Sequence, residues 1–152
     1  MSKRYPRPRL TARNPVPPVI PDGFRRFVPR AHYFARLGRT YILARDPEPP
    51  VFGLQVKPRH GNTHGTGHGG FLATLLDTYM AAFLRHTAPG VQLWTTDLKL
   101  KYLRPVPVGA WLEAHCVSVT RLGDRAEVVC DLKVDGEIMC RGTARFKVIE
   151  KS

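Results

Sequence analysis

The chain has little of several residue types, and each shortage removes a class of protein. Three cysteines in 152 residues, Cys116, Cys130 and Cys140, cannot all pair. They lie inside alternating apolar segments, as small buried hydrophobes of a reducing compartment do, and no two have the spacing of a metal site. No apolar run reaches the roughly 18 residues that a membrane span needs. The basic N-terminus leads into prolines rather than an apolar stretch, which does not read as a secretory signal, so the expected location is the cytoplasm.

Acidic residues are also scarce: 12 Asp and Glu stand against 24 Lys and Arg, a net charge of +12. Such a balance suits nucleic acid, an anionic surface or an acidic small ligand. Its distribution argues for the small ligand. Lys3, Arg4, Arg7, Arg9 and Arg13 share a leader with Pro6, Pro8, Pro15, Pro17, Pro18 and Pro21. With no aromatic residues interleaved in a regular basic pattern, that composition predicts a flexible or extended arm over residues 1–23 and leaves nucleic acid the least favoured partner. Lys99, Lys101 and Arg104 sit on or just beyond a predicted strand, where they suit a polyphosphate near one end of a sheet. The plain alternative is a solvated strand face. The length fits a single domain over 24–152.

Residues 24–45 predict a short helical segment around Tyr33, Phe34 and Leu37 that ends near Gly38. Pro47, Pro49 and Pro50 then break the chain ahead of a short strand over 52–57. A helix follows over about 70–86. Phe71, Leu72, Leu75, Leu76, Tyr79, Ala82 and Phe83 fall on one arc of it, and Asp77 on the other side with Thr74, Ala81 and Leu84. After Pro89-Gly90 everything reads as strand: Leu98/Leu100/Tyr102, Leu112/Ala114/Cys116, Val128/Cys130/Leu132/Val134, and Ile138/Cys140/Ala144/Phe146/Val148 each alternate with polar or outward residues. Asp135-Gly136 is a two-residue hairpin signal. This order predicts an α+β protein with a curved antiparallel sheet wrapped around a long central helix, the hotdog fold. A cystatin-like or other α+β roll accommodates the same order.

The chemistry gathers at residues 62–70, Asn-Thr-His-Gly-Thr-Gly-His-Gly-Gly, which run into the helix that carries Asp77. A helix start leaves N–H groups without acceptors and adds partial positive charge, so it can hold a carbonyl oxygen as that oxygen becomes an oxyanion. A tight entry turn would use the same glycines, and a solvated polar face would account for Asp77. His60, His64 and His68 repeat every four residues, the spacing of a metal face on a helix. Gly61, Gly65 and Gly67 work against a continuous helix there, so no metal is expected.

Asn62, His68-Gly69-Gly70 six residues later, and Asp77 eight beyond Gly69 resemble the signature of the acyl-CoA thioesterases of the hotdog superfamily, in the group typified by the phenylacetate-pathway thioesterase and its animal relatives. Thr95-Thr96-Asp97-Leu98, Tyr102-Leu103-Arg104-Pro105 and Arg141-Gly142-Thr143-Ala144-Arg145-Phe146 are similar to that family too. The resemblance spans roughly residues 24–149 and omits the arm. It implies hydrolysis of an acyl-CoA thioester to free acid and CoA, with no cofactor. Gly69 would polarise the carbonyl through its N–H, and Asp77 would act as general base or nucleophile. Thr95 or Thr96 would orient that carboxylate, while Asn62 and His68 would lie beside the thioester. Leu72, Leu76, Tyr79, Met80 and Phe83 would line the acyl pocket unless they are ordinary core. The family also implies a homodimer or dimer of dimers in which Asp77 of one subunit faces Gly69 of another. CoA phosphates would meet some of Lys99, Lys101, Arg104, Arg141 and Arg145, with Arg104 foremost. A non-catalytic acyl-CoA or acyl-carrier binding protein on the same fold is the alternative.

Overall fold

The computed structural model describes residues 19–28 and 31–150. Of the predicted arm over 1–23, only residues 19–23 fall among them. Strand β1 (Arg25–Phe27), a single helical turn α1 (His32–Ala35), β2 (Thr40–Arg45) and β3 (Glu48–Gln55) lead through a 3-10 turn (Pro58–His60) to the long helix α2 (Gly69–Thr87). Four strands follow: β4 (Gln92–Tyr102), β5 (Trp111–Leu122), β6 (Arg125–Val134) and β7 (Glu137–Ile149).

All seven strands form one antiparallel sheet in the order β1-β2-β3-β5-β6-β7-β4. Helix α2 packs on one face of it, against β3 to β7. The fold is thus α+β and hotdog-like, but the expected curved sheet wrapped around the helix is not what forms. Among the described residues the sheet stays open, with β1 and β4 at its two edges. The helix shows why one face of sheet is enough. Phe71, Leu72, Leu75, Leu76, Tyr79, Met80, Phe83 and Leu84 are buried, whereas Ala73, Thr74, Asp77, Thr78 and Ala81 on the opposite side stay partly exposed. An apolar stripe of that width needs cover on one side only.

The buried strand residues alternate as the period-two pattern requires. Val128, Cys130, Leu132, Cys140, Ala144 and Phe146 face the helix, joined from the other strands by Phe52, Leu54, Leu112 and Ala114. Gly142 lies under the helix because a Cβ there would meet the Leu76 methyls at 3.0 Å. The β6–β7 hairpin turns on Asp135 and Gly136, with φ of 48° and 81°, the left-handed pair such a turn needs. The three cysteines are free, Cys130 and Cys140 buried and Cys116 half-buried.

The N-terminal third holds the expected short helical segment as the single turn α1 around Tyr33 and Phe34, flanked by two strands, β1 and β2, that were not expected. Pro49 and Pro50 do not break the chain but lie inside β3. They are tolerated because the pairing of β3 with β5 begins only at Phe52, so neither proline has to donate to that neighbour.

Candidate active site

The loop 61–68 is a self-braced platform for the start of α2. Gly61 and Gly67 form a bridge, and Thr66 pairs with Pro107. Asn62 holds the loop from within: its Oδ1 accepts from the His64 N–H (2.9 Å) and the Thr66 N–H (3.3 Å), and its Nδ2 donates to Thr66 Oγ1 at 3.0 Å. The amide is occupied as an Asx brace. His68 is the N-cap, and its Nδ1 accepts from the Gly70 N–H at 3.0 Å. With Nδ1 accepting, Nε2 is left to carry the ring proton, and the residue is exposed. Gly69 is the first helical residue, so its own N–H precedes any helical acceptor.

His60 anchors this platform. Its backbone oxygen accepts from the His68 N–H at 2.8 Å, and its ring stacks on Phe71 in the first turn of α2, with centroids 4.3 Å apart. Nδ1 accepts from the Lys57 N–H (3.0 Å), and Nε2 lies 2.7 Å from the Leu37 oxygen, to which it donates. Burial, reinforced by Arg59 and Lys57, lowers its pKa although the Leu37 carbonyl opposes the shift. His60, His64 and His68 do not share a helical face: His60 ends the 3-10 turn and His68 caps α2. Among the described residues no group of three or more His, Cys, Asp or Glu side chains is placed to hold a metal ion.

Asp77 projects from the partly exposed side of α2, and Thr95 Oγ1 donates to its Oδ1 at 2.8 Å. A β-bulge between Thr95 and Asp97 separates the two threonines. Thr95 pairs with Phe146, a helix-facing residue, whereas Thr96 is the extra residue and donates to the Arg145 backbone oxygen at 3.1 Å. Asp77 and Gly69 are eight residues apart on one helix, about 12 Å along its axis at ~1.5 Å per residue. Both cannot touch one carbonyl group from within a single chain.

Gly69 opens into a groove of about 350 Å³ lined by Gly67, Leu72, Tyr102, Leu103, Arg104, Pro105 and Val106. Arg104 stands on its rim, half exposed, with Nε 3.1 Å from Glu137 and Nη1 donating to the Ile138 oxygen at 3.2 Å. The other basic candidates are elsewhere. Lys99, Lys101, Arg141 and Arg145 alternate with the helix-facing Leu98, Leu100, Gly142 and Ala144, and so point from the sheet's opposite face. Arg141 is locked in a two-pronged bond to Asp131 (2.6 and 2.8 Å), and Arg145 pairs with Glu127 at 3.0 Å. A second hollow of about 590 Å³, lined by residues that include Thr96, Asp97, Arg125, Glu127, Arg145 and Lys147, shares no lining residue with the groove at Gly69. Of the candidate acyl-lining residues, Leu72 borders the groove, while Leu76, Tyr79, Met80 and Phe83 are sealed in the core.

Two features escaped the sequence reading. The Tyr102 hydroxyl donates to the Gly69 backbone oxygen at 2.9 Å, which ties β4 to the helix start. Asp131 is buried on the sheet face expected to be solvated. The first carried a signal, since Tyr102 sits two residues before Arg104 on the strand that also bears Thr95.

Residues 64–139 match the model of the thioesterase superfamily. A candidate esterase of Pseudomonas aeruginosa is 33% identical over 109 residues, covering 70% of this chain and 79% of that protein. Human acyl-coenzyme A thioesterase 13 is 27% identical over 116 residues, 74% of this chain and 83% of its own length. Among solved structures, a single-residue variant of the phenylacetic acid degradation protein PaaI from Thermus thermophilus is similar with a TM-score of 0.65. It shares 27% sequence identity, over 76% of this chain and 96% of that one.

Proposed function

The chain belongs to the thioesterase superfamily of hotdog-like folds, and from that premise we propose that it hydrolyses acyl-CoA thioesters to free acid and CoA. The observation that carries the reading is Asp77, a carboxylate on the uncovered side of α2 whose Oδ1 is held by Thr95 at 2.8 Å. A carboxylate kept there only for solubility would have no need of a hydroxyl brought from another element to aim it.

In the proposed reaction the thioester carbonyl oxygen sits against the Gly69 N–H. Of the first two helical amides, that of Gly70 is already taken by His68 and that of Gly69 remains for substrate. Asp77 accepts a proton from water as the water oxygen attacks the carbonyl carbon. Collapse of the tetrahedral intermediate breaks the C–S bond, the departing CoA sulfur takes the proton held by Asp77 and so regenerates the carboxylate, and the acyl group departs as the free acid. Direct attack by Asp77, followed by hydrolysis of the anhydride, is the other form of the same chemistry. His68, whose Nε2 carries the ring proton while Nδ1 accepts, is the proposed donor at the carbonyl side. The bonds of Asn62 support a role in shaping the loop rather than touching substrate.

The site is composite in this proposal. The ~12 Å between Gly69 and Asp77 on one helix is bridged when two copies place their uncovered α2 faces together in opposite directions, so that each carboxylate meets the other copy's Gly69. The open β4 edge supports the same assembly, since an unpaired strand edge favours association with another copy. Arg104 on the groove rim is the proposed phosphate contact. Lys99 and Lys101 reach a CoA bound at this groove only if assembly brings the opposite sheet face to it. Arg141 and Arg145 are engaged by carboxylates and are weaker candidates.

Subunit mixing tests the reading. Asp77→Asn and Gly69→Val chains are each expected to be inactive alone. Random co-assembly should restore about one quarter of wild-type thiol release, because each mixed dimer contains one intact site. No recovery in verified mixed dimers would contradict the composite site.

A further inference from the structure

We infer that Tyr102 is a positioning residue for the Gly69 amide, which makes β4 the strand that aims both halves of the site. The inference rests on the hydrolytic reading above and adds a residue to it. Thr95 and Tyr102 are both on β4; the first bonds the Asp77 carboxylate, the second the Gly69 carbonyl.

The argument lies in how a glycine amide acquires a direction. Gly69 has no Cβ, so its own dihedrals are the loosest in the site. Its orientation depends on the peptide planes on either side. The His68–Gly69 plane is pinned by the Leu72 N–H, which donates to the His68 oxygen at 3.1 Å. The Gly69–Gly70 plane is pinned at its nitrogen by His68 Nδ1 and at its oxygen by the Tyr102 hydroxyl, at 3.0 and 2.9 Å. The Tyr102 bond is the only one of these that comes from outside the loop and helix. Removing it leaves the carbonyl end of the second plane with helical bonding alone.

Packing makes the same connection. A Cβ placed on Gly69 would lie 3.2 Å from Tyr102 Oη and 3.4 Å from Cζ, so the phenol occupies the space that any larger residue would need. Tyr102 also lines the groove beside Leu72 and Arg104. Partial burial, and to a lesser degree the neighbouring Cys140 thiol, raises its pKa, so the hydroxyl stays a donor throughout the neutral and mildly alkaline range.

The test is Tyr102→Phe in the full-length protein, which keeps the ring and removes only the hydroxyl. Two readouts apply. With acyl-CoA, kcat should fall about fivefold or more, the size expected for losing one hydrogen bond that acts on the transition state, while KM stays within about twofold. Independently of activity, the Gly69 and Gly70 amide protons should exchange faster with solvent, with exchange in the β6–β7 hairpin unchanged. Unchanged kcat together with unchanged Gly69 exchange would overturn the inference. A wild-type protein that turns over no acyl-CoA would defeat the hydrolytic reading instead, and amide exchange would then decide the role of Tyr102 alone.

Discussion

Replacing Asp77 with asparagine separates the two things this side chain does. The residue is partly exposed on α2, and one of its oxygens accepts from Thr95 Oγ1 at 2.8 Å. Asparagine keeps an oxygen at that position and nearly the same shape, so the Thr95 bond and the local packing survive. What is lost is the negative charge and the ability to take a proton or attack a carbonyl. General-base contributions are typically ~10²–10⁴-fold, or about 3–5 kcal/mol of barrier at ~1.36 kcal/mol per factor of ten. The expected result is therefore a fall in kcat of at least about a hundredfold. KM should change little, since the groove at Gly69 and the Arg104 rim are untouched. The assay is release of free CoA thiol, with unfolding temperature and oligomeric state measured on the same preparation. Single turnover of the wild type in ¹⁸O-labelled water also distinguishes the two chemistries, because label enters the Asp77 carboxylate only if that group attacks directly. Near-normal kcat in a folded Asp77→Asn protein on a substrate that the wild type hydrolyses well would refute the assignment, and His68 would be the next base to test.

Three further outcomes follow from the geometry. Thr95→Ala should lower kcat about five- to tenfold through loss of one hydrogen bond to a charged group, while Thr96→Ala, whose hydroxyl reaches only the Arg145 backbone, should stay within about twofold in the same thiol-release assay. Arg104→Ala should raise KM for acyl-CoA more than it lowers kcat, and should leave KM for a pantetheine thioester without the nucleotide unchanged, as initial-rate kinetics on the two substrates would show. His60 predicts a pH dependence of stability. Because its folded pKa is lowered, the unfolded chain takes up the proton first, so its contribution is complete above the ordinary value of about 6.5 and declines as pH falls below it toward the folded pKa. Thermal unfolding followed from pH 8 to 5 should show this decline, and His60→Gln should flatten it.

The second half of the fold was legible in the sequence because each element there has one buried face. Leu112/Ala114 and Val128/Cys130/Leu132 alternate cleanly, α2 carries its apolar residues on one arc, and Asp135-Gly136 marks a turn that few other pairs can make. β2 was missed for the opposite reason: Tyr41-Ile42-Leu43 is covered to some degree on both sides, so no alternation survives. β1 is only three residues long, too short for a period to emerge. The sheet was expected to wrap the helix because an apolar helix needs cover, but the pattern states how wide the stripe is and not how the sheet edges end. At the site, the spacing of Asn62, His68, Gly69 and Asp77 carried a family resemblance, and in the fold the first three share the start of α2 while Asp77 lies about two turns along the same helix. Spacing could not choose between Thr95 and Thr96, because a one-residue bulge reverses the facing of a strand. Charge was the least informative signal. Arg141 and Arg145 looked available as phosphate ligands, yet their partners Asp131 and Glu127 sit on the neighbouring strand, a register that no local pattern displays.

The measurement that bears most directly on the central claim is thiol release by the purified wild-type protein across acyl-CoA substrates with short, long, branched and aromatic acyl groups, run beside calorimetric binding of the same compounds. The account predicts catalytic turnover of at least one acyl class, with free acid and CoA formed in equal amounts. Saturable binding of acyl-CoA with no hydrolysis of any member would contradict it and would make the chain a carrier or sensor of acyl-CoA on a thioesterase scaffold.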